Sequence, residues 1–254
     1  MKTKHIFNTF LCALLFVTSL GIAQEKTSQT YWIHEDHVKP SMLAEYEAVC
    51  KELVMQCKKH GVDETSWLTL ATNDFTYAYV GPIDKMADLD ENIFATLSEK
   101  MGKEAFSKLF QRMDKCYTDH VDYIISLDKD LSYQPSGINQ MPEGQMYRNN
   151  VRYYITPENY AKANEIAKKY KKLFTEKGSK MYYRVYRSGF GANGTFFMVA
   201  IAAESPEDYE RMSMENRKLL GEEGAKLNQE LLAVMTKMDV MQGWMRADLS
   251  YMGK

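Results

Sequence analysis

Four titratable side chains stand in a row at His34-Glu35-Asp36-His37, and two histidines beside two acids would suit a metal centre or a proton-transfer pair. Spacing separates the two. On a strand, residues three apart lie about 10 Å from each other and point to opposite faces. Both imidazoles could reach one zinc, at Zn–N bonds of about 2.0–2.1 Å, only if the strand bent sharply. No metal site is therefore expected. The pairs that share a face are His34 with Asp36 and Glu35 with His37, and the plainer reading leaves one pair solvated and the other lining a sheet. His37 is the stronger catalytic candidate, because it stands where the strand meets a helix entrance. Tyr154 occupies the matching place later in the chain and is the second candidate. His60 falls in a last helical turn, where the helix dipole favours a cation. His120 sits in an expected loop without an evident partner.

Aromatic residues give the second signal. Trp32, Trp67, Tyr77 and Tyr79, and later Tyr182 and Tyr186, fall on expected strands. Packing explains most aromatics on strands. Alternation nevertheless puts Tyr182, Arg184 and Tyr186 on one face, and an arginine between two tyrosines can hold a carboxylate or stack under a ring. The solvated face of an edge strand would look the same. These seven residues are the candidate ligand contacts. Gly-x-Ser-x-Gly, phosphate-loop, Gly-x-Gly-x-x-Gly, His-Glu-x-x-His and Cys-x-x-Cys signatures are all missing, so no cofactor is expected.

The elements that must position these side chains occur twice. Residues 37–61 and 154–178 both read as a strand end, a proline at a helix entrance, an amphipathic helix and a terminal glycine, and they match without a gap at an offset of 117. The closing phrase Asp130-Leu131-Ser132-Tyr133 recurs at Asp248-Leu249-Ser250-Tyr251, at an offset of 118. Around these repeats the first unit reads as a strand to His37, a helix to Gly61 and a hairpin over 66–71 and 75–80. A helical region broken near Gly102 and a strand over 121–127 complete it. The second unit repeats the order, with strands at 151–155, 181–187, 195–203 and 240–246 and a long helical region interrupted near Gly221. Thr156 is expected to cap the helix that Pro157 opens.

Each unit is thus β-α-β-β-α-β, the ferredoxin-like order, and the fold class is α+β. The expected organisation is a signal peptide over 1–23, a first unit over 24–133, a linker over 134–146 and a second unit over 147–254. Lys2 and Lys4, an apolar run from Phe10 and small residues at Gly21 and Ala23 make the secretory signal. The product is then expected to be secreted or periplasmic. The apolar run is short of the roughly 20 residues of a membrane span. Cleavage removes two lysines and no acids, taking the formal charge from −2 to −4. A mildly acidic chain without a basic cluster has no footprint for nucleic acid. Cys50 and Cys57, about 10.5 Å apart along one helix, are too far apart for a disulfide; with Cys116 they form an odd set that reads as core packing.

Two such units side by side resemble the dimeric α/β-barrel superfamily, which includes antibiotic-biosynthesis monooxygenase-like and NIPSNAP-like proteins, here as a dimer fused into one chain. The resemblance covers nearly all of residues 26–254 and rests on element order, the strand-x-Pro-helix entrance and the duplication. It implies two four-stranded sheets facing each other and a ligand between sheet and long helix. The superfamily includes oxygenases that need no metal or cofactor, isomerases, haem-degrading enzymes and members without known activity. The leading functional expectation is an exported module that binds a small, partly apolar molecule. The alternatives are a cofactor-independent oxygenase or isomerase using His37 or Tyr154, and an interaction protein of the cell envelope, with self-association left open. Because His37 and Trp67 face Tyr154 and approximately Arg184 in the other copy, at most one pocket is expected to function.

Overall fold

Alternating side chains and amphipathic helices give the expected element order in the computed structural model, which describes residues 28–253. The strands are β1 (Ser28–Val38), β2 (Leu68–Thr72), β3 (Thr76–Ile83), β4 (Tyr117–Tyr133), β5 (Tyr147–Ile155), β6 (Tyr183–Ser188), β7 (Phe196–Ala203) and β8 (Met235–Met245). The helices are α1 (Leu43–His60), α2 (Ala95–Met101), α3 (Lys103–Asp114), α4 (Tyr160–Lys177) and α5 (Pro206–Leu232). The expected signal peptide lies outside the described residues. None of the described helices is long and apolar enough to cross a membrane.

The strands close an antiparallel barrel in the order β1-β3-β2-β8-β5-β7-β6-β4. Closure leaves no open sheet edge, so every strand finds partners on both sides. At the β2–β8 seam the two chains come so close that a Cβ on Gly243 would meet the Ala71 carbonyl oxygen at 2.1 Å, which only glycine avoids. Inside the barrel, Tyr31, Ile33, Leu70, Tyr123, Ile125 and Met198 belong to one buried cluster. Two further cores lie outside it, one under α1, α2 and α3 and one under α4 and α5. Cys50, Cys57 and Cys116 are free thiols buried in the first of these, consistent with packing.

Three local features differ from the sequence reading. β4 and β8 begin earlier than expected, because their polar first residues pair with β1 and β5 by backbone bonds that carry no side-chain pattern. His120 therefore lies on a strand. Thr156 makes no side-chain cap, since Pro157 opens a short 3-10 turn that delays α4 to Tyr160. The two helical interruptions do fall at Gly102, between α2 and α3, and at Gly221, where α5 kinks.

The closing phrases cross over. Leu249 and Tyr251, at the end of the chain, are buried in the core under α1, where Trp67 Nε1 donates to the Leu249 carbonyl at 2.8 Å. Leu131 and Tyr133 are buried in the core under α4, where the Tyr133 hydroxyl donates to the Ser179 carbonyl at 3.0 Å.

Candidate functional site

The outward face of β1 presents Trp32, His34 and Asp36. Strand register sets their neighbours: Tyr79 on β3 and Asp122 on β4 lie opposite His34, and His120 on β4 lies opposite Asp36. The helices α1 and α3 and the segment before α2 stand over this face and leave a cavity of about 930 Å³. Its walls include the rings of Trp32, Trp67, Tyr79, Phe94, Phe110 and Tyr117, with His34, Asp36, His120 and Asp122 on the sheet side. Large apolar walls with a few convergent polar groups are the usual make-up of a small-molecule site.

The polar groups form one connected network. Asp122 Oδ1 lies 2.9 Å from His34 Nδ1 and also accepts from Trp32 Nε1 at 2.9 Å. On the other side of the imidazole, His34 Nε2 lies 3.1 Å from Asp36 Oδ1. That contact lacks the alignment of a hydrogen bond, so among the described residues Oδ1 receives none although Asp36 is buried. The other carboxylate oxygen, Oδ2, accepts from the Tyr46 hydroxyl at 2.6 Å. Having given its proton to Asp36, Tyr46 must accept from Tyr79 at 2.6 Å, and the Cys50 thiol lies 3.2 Å beyond.

Burial works against a charge on His34, but contact with Asp36 and Asp122 overcomes it and holds the imidazole at about 9. Burial pushes Tyr46 and Tyr79 well above the ordinary phenol range and Cys50 up to about 12. At neutral pH the network therefore carries one cation, His34, beside neutral hydroxyls and a neutral thiol. A raised folded-state value stabilises the fold fully below the unfolded value near 6.5 and loses that stabilisation as pH rises through about 9. Unfolding free energy is expected to fall by on the order of 3 kcal/mol between pH 6 and 9.5. Urea titrations at the two pH values, with His34→Gln lacking this component, check it.

Three of the seven expected ligand contacts, Trp32, Trp67 and Tyr79, meet at the cavity. Tyr77 is turned under α1 and donates to Glu47 Oε1 at 2.6 Å. Tyr182 precedes β6 and is exposed, while Arg184 and Tyr186 point into the barrel. His37 also faces the barrel side, where its Nδ1 is bonded to Asp119. Tyr154 packs edge-on against Phe196 at 5.5 Å, with the Lys237 ammonium 5.0 Å from its ring centre. Neither catalytic candidate lines the cavity. The shared face of His34 and Asp36 was legible in their spacing; the arrival of His120 and Asp122 depended on the β1–β4 register, which no local pattern encodes.

His34, Asp36 and His120 each offer one ligand atom, and these atoms lie within 4.8 Å of one another. Two imidazoles and a carboxylate with open positions toward a cavity suit a divalent transition metal. Asp122, behind His34 Nδ1, occupies the place of the carboxylate that orients a ligating histidine.

The other half lacks this chemistry. At the corresponding register stand Val151, Tyr153, Val199, Met238 and Val240. The cavity under α4 is about 210 Å³ and is lined almost wholly by apolar and aromatic side chains.

No protein-family model and no curated protein matches the sequence. Solved structures do share the architecture. One described as an anthrone oxidase-like protein superposes with a TM-score of 0.60 at 11% identity, covering 87% of this chain and 92% of that one. A "putative monooxygenase" from Lactobacillus acidophilus NCFM superposes with a TM-score of 0.51 at 10% identity, covering 90% of this chain and 97% of that one. The class that these neighbours define is a fold, the dimeric α+β barrel. At such identities the likeness is one of fold.

Proposed function

We propose that the chain is an enzyme of the oxygenase or isomerase type that acts on a small, flat, partly apolar molecule in the cavity under α1. The observation that carries this reading is an imidazolium held between two carboxylates on the floor of an aromatic cavity. A protein that only held an apolar ligand would have no need to bury the Asp36 carboxylate beside that cation, because charge burial is costly. The binding-module expectation is thereby set behind its enzymatic alternative, and the base-carrying role passes from His37 and Tyr154 to the His34 cluster.

A carbonyl compound with a C–H made acidic by conjugation with that carbonyl suits the groups present. His34 Nε2–H donates to the carbonyl oxygen as it becomes anionic, and Asp36 Oδ1, which has no donor of its own, takes the carbon-bound proton. Returning that proton to a different carbon is isomerisation. With dioxygen, an anthrone-type substrate gives the quinone: one oxygen atom becomes the new carbonyl, and the other leaves as water with both methylene hydrogens. Anthrone is the probe. Under argon in deuterated buffer the protein is expected to accelerate deuterium entry at the methylene, and in air to consume one dioxygen per quinone formed. Rates no higher than those of buffer in both experiments would refute this reading for anthrone-type substrates.

A second reading is favoured by the donorless Asp36 Oδ1. A divalent cation would sit on His34, Asp36 and His120 and supply Lewis-acid or oxygen chemistry at the same floor. Native mass spectrometry with cobalt(II) separates the two, since a metal bound by wild type and lost in His120→Ala belongs to this second reading.

The repeats at offsets of 117 and 118 support the finer organisation that we propose. It consists of tandem ferredoxin-like units over 24–133 and 147–254 joined by 134–146, with export directed by residues 1–23 to the periplasm or beyond.

A further inference from the structure

The barrel interior carries more positive charge than its own acids balance. Three arginines, Arg148, Arg152 and Arg184, line a cavity of about 200 Å³ between the two halves of the barrel. Arg152 is paired with Glu35 at 2.7 Å. Arg148 and Arg184 are 2% and 4% exposed, and among the described residues neither has a carboxylate partner. Asp74, the other acid on the cavity wall, is exposed in the β2–β3 turn and accepts from the Thr76 amide there. Buried guanidinium groups without a counter-charge are rare because desolvation is left uncompensated.

The two arginines are not satisfied in the same way. Arg148 spends its fork on backbone carbonyls, donating to Gln140 in the covering segment at 2.7 Å, to Gln145 at 2.5 Å and to Tyr147 of its own strand at 2.9 Å. Carbonyl dipoles satisfy its N–H groups but leave its charge. Burial and the neighbouring Arg184 pull Arg148 down to about 10. Among the described residues Arg184 has a single bond, from Nη1 to the Asn139 carbonyl at 3.2 Å, and its buried Nε has no partner. The Nε–Nη2 edge it keeps free is the one that takes a carboxylate or phosphate through two parallel bonds. Register supplies the room: Ala200 stands between Arg184 on β6 and Asn150 on β5, and Asn150 Oδ1 is also without a partner among the described residues.

We infer that the interior of the barrel is a second binding site, for a small oxyanion such as a carboxylate or phosphate, gripped by the free edge of Arg184 beside Arg148. Residues 139 and 140 cover it, held down by the same two arginines. The site is separate from the cavity under α1 and does not depend on the enzymatic reading.

Equilibrium dialysis of the full chain with radiolabelled inorganic phosphate and with succinate, at constant ionic strength in chloride, tests this. Wild type is expected to retain one of the two at a stoichiometry of one. Arg184→Met should bind it at least about tenfold more weakly, because a charge-assisted bidentate pair is lost. Arg184→Lys keeps the charge without the fork, guards against misfolding of the first variant, and should fall between the two. Arg217→Gln, on the exposed face of α5, should bind as wild type does. Retention of neither anion by wild type, or retention by both Arg184 variants equal to that of wild type, overturns the proposal and leaves the arginines as a clamp on the covering segment.

Discussion

Replacing His34 with glutamine is expected to lower turnover of an anthrone-type substrate by about two to four orders of magnitude, the usual contribution of a positioned proton donor. Its imidazolium is the cation of the network at the cavity, between Asp36 and Asp122 at 3.1 and 2.9 Å. Glutamine keeps an N–H donor and similar bulk, so the loss measures the cation and its proton rather than the space. Thermal midpoints of variant and parent should coincide near pH 9.5, where the charge of His34 no longer supports the fold. Asp36→Asn should be as damaging, because it removes the acceptor on the carbon side. The decisive contrast is His37→Ala. That residue faces away from the cavity, and a loss from its removal as large as that of His34→Gln would return the active centre to the strand end.

The second large effect concerns stability. Arg152 Nη2 bonds Glu35 Oε1 at 2.7 Å inside the barrel and also bonds the Tyr123 hydroxyl, which itself donates to Glu35 at 2.5 Å. Its guanidinium carbon lies 5.3 Å from the ring centres of both Tyr123 and Phe196. Arg152→Met is expected to cost about 3–5 kcal/mol, because it strands a buried carboxylate. For a chain of this size that lowers the thermal midpoint by roughly 10 °C. Pairing it with Glu35→Gln should recover most of the loss, since an uncharged side chain no longer needs the counter-ion. A scanning calorimetry series of the two single variants and the double variant reads this directly. If the double variant is no more stable than Arg152→Met, the arginine contributes packing rather than charge balance.

Much of the fold was legible in the sequence because it is written in periodicities. The i, i+3, i+4 stripe of Tyr46, Val49, Cys50, Leu53, Val54 and Cys57 is the buried face of α1, and the breaks at Gly102 and Gly221 are where helices end or kink. The candidate site was less legible, for a definite reason. Its groups come from β1, α1, β3 and β4, and only the pair His34 and Asp36 is local. Tyr46 looked like one more core aromatic, and nothing near it in the chain showed that its hydroxyl would end on Asp36. His120 looked like a loop residue because Tyr117–Asp122 has no alternation, although backbone pairing with β1 makes it strand. Arg184 was placed correctly on a face with Tyr186, but alternation cannot say which side of a sheet becomes the inside of a barrel. Barrel closure, a non-local event, decided between the open readings of Arg184 and Tyr186 by turning both into the interior.

The crossing of the closing phrases bears on what the joining segment is for. Leu249 and Tyr251 complete the core under α1, and Leu131 and Tyr133 complete the core under α4. Neither half therefore owns a finished interior, and separating them would expose both. Asn139 and Gln140 are bonded to Arg184 and Arg148, and Gln140 also to Tyr31; if 134–146 is the linker we propose, it also acts as a tether that makes a two-body assembly a single-body one. With the tether intact, association is an internal event at high effective concentration, and the unfolding midpoint is independent of dilution. A chain nicked there would stay together by mutual complementation, yet its midpoint would slide with concentration as that of an obligate dimer does.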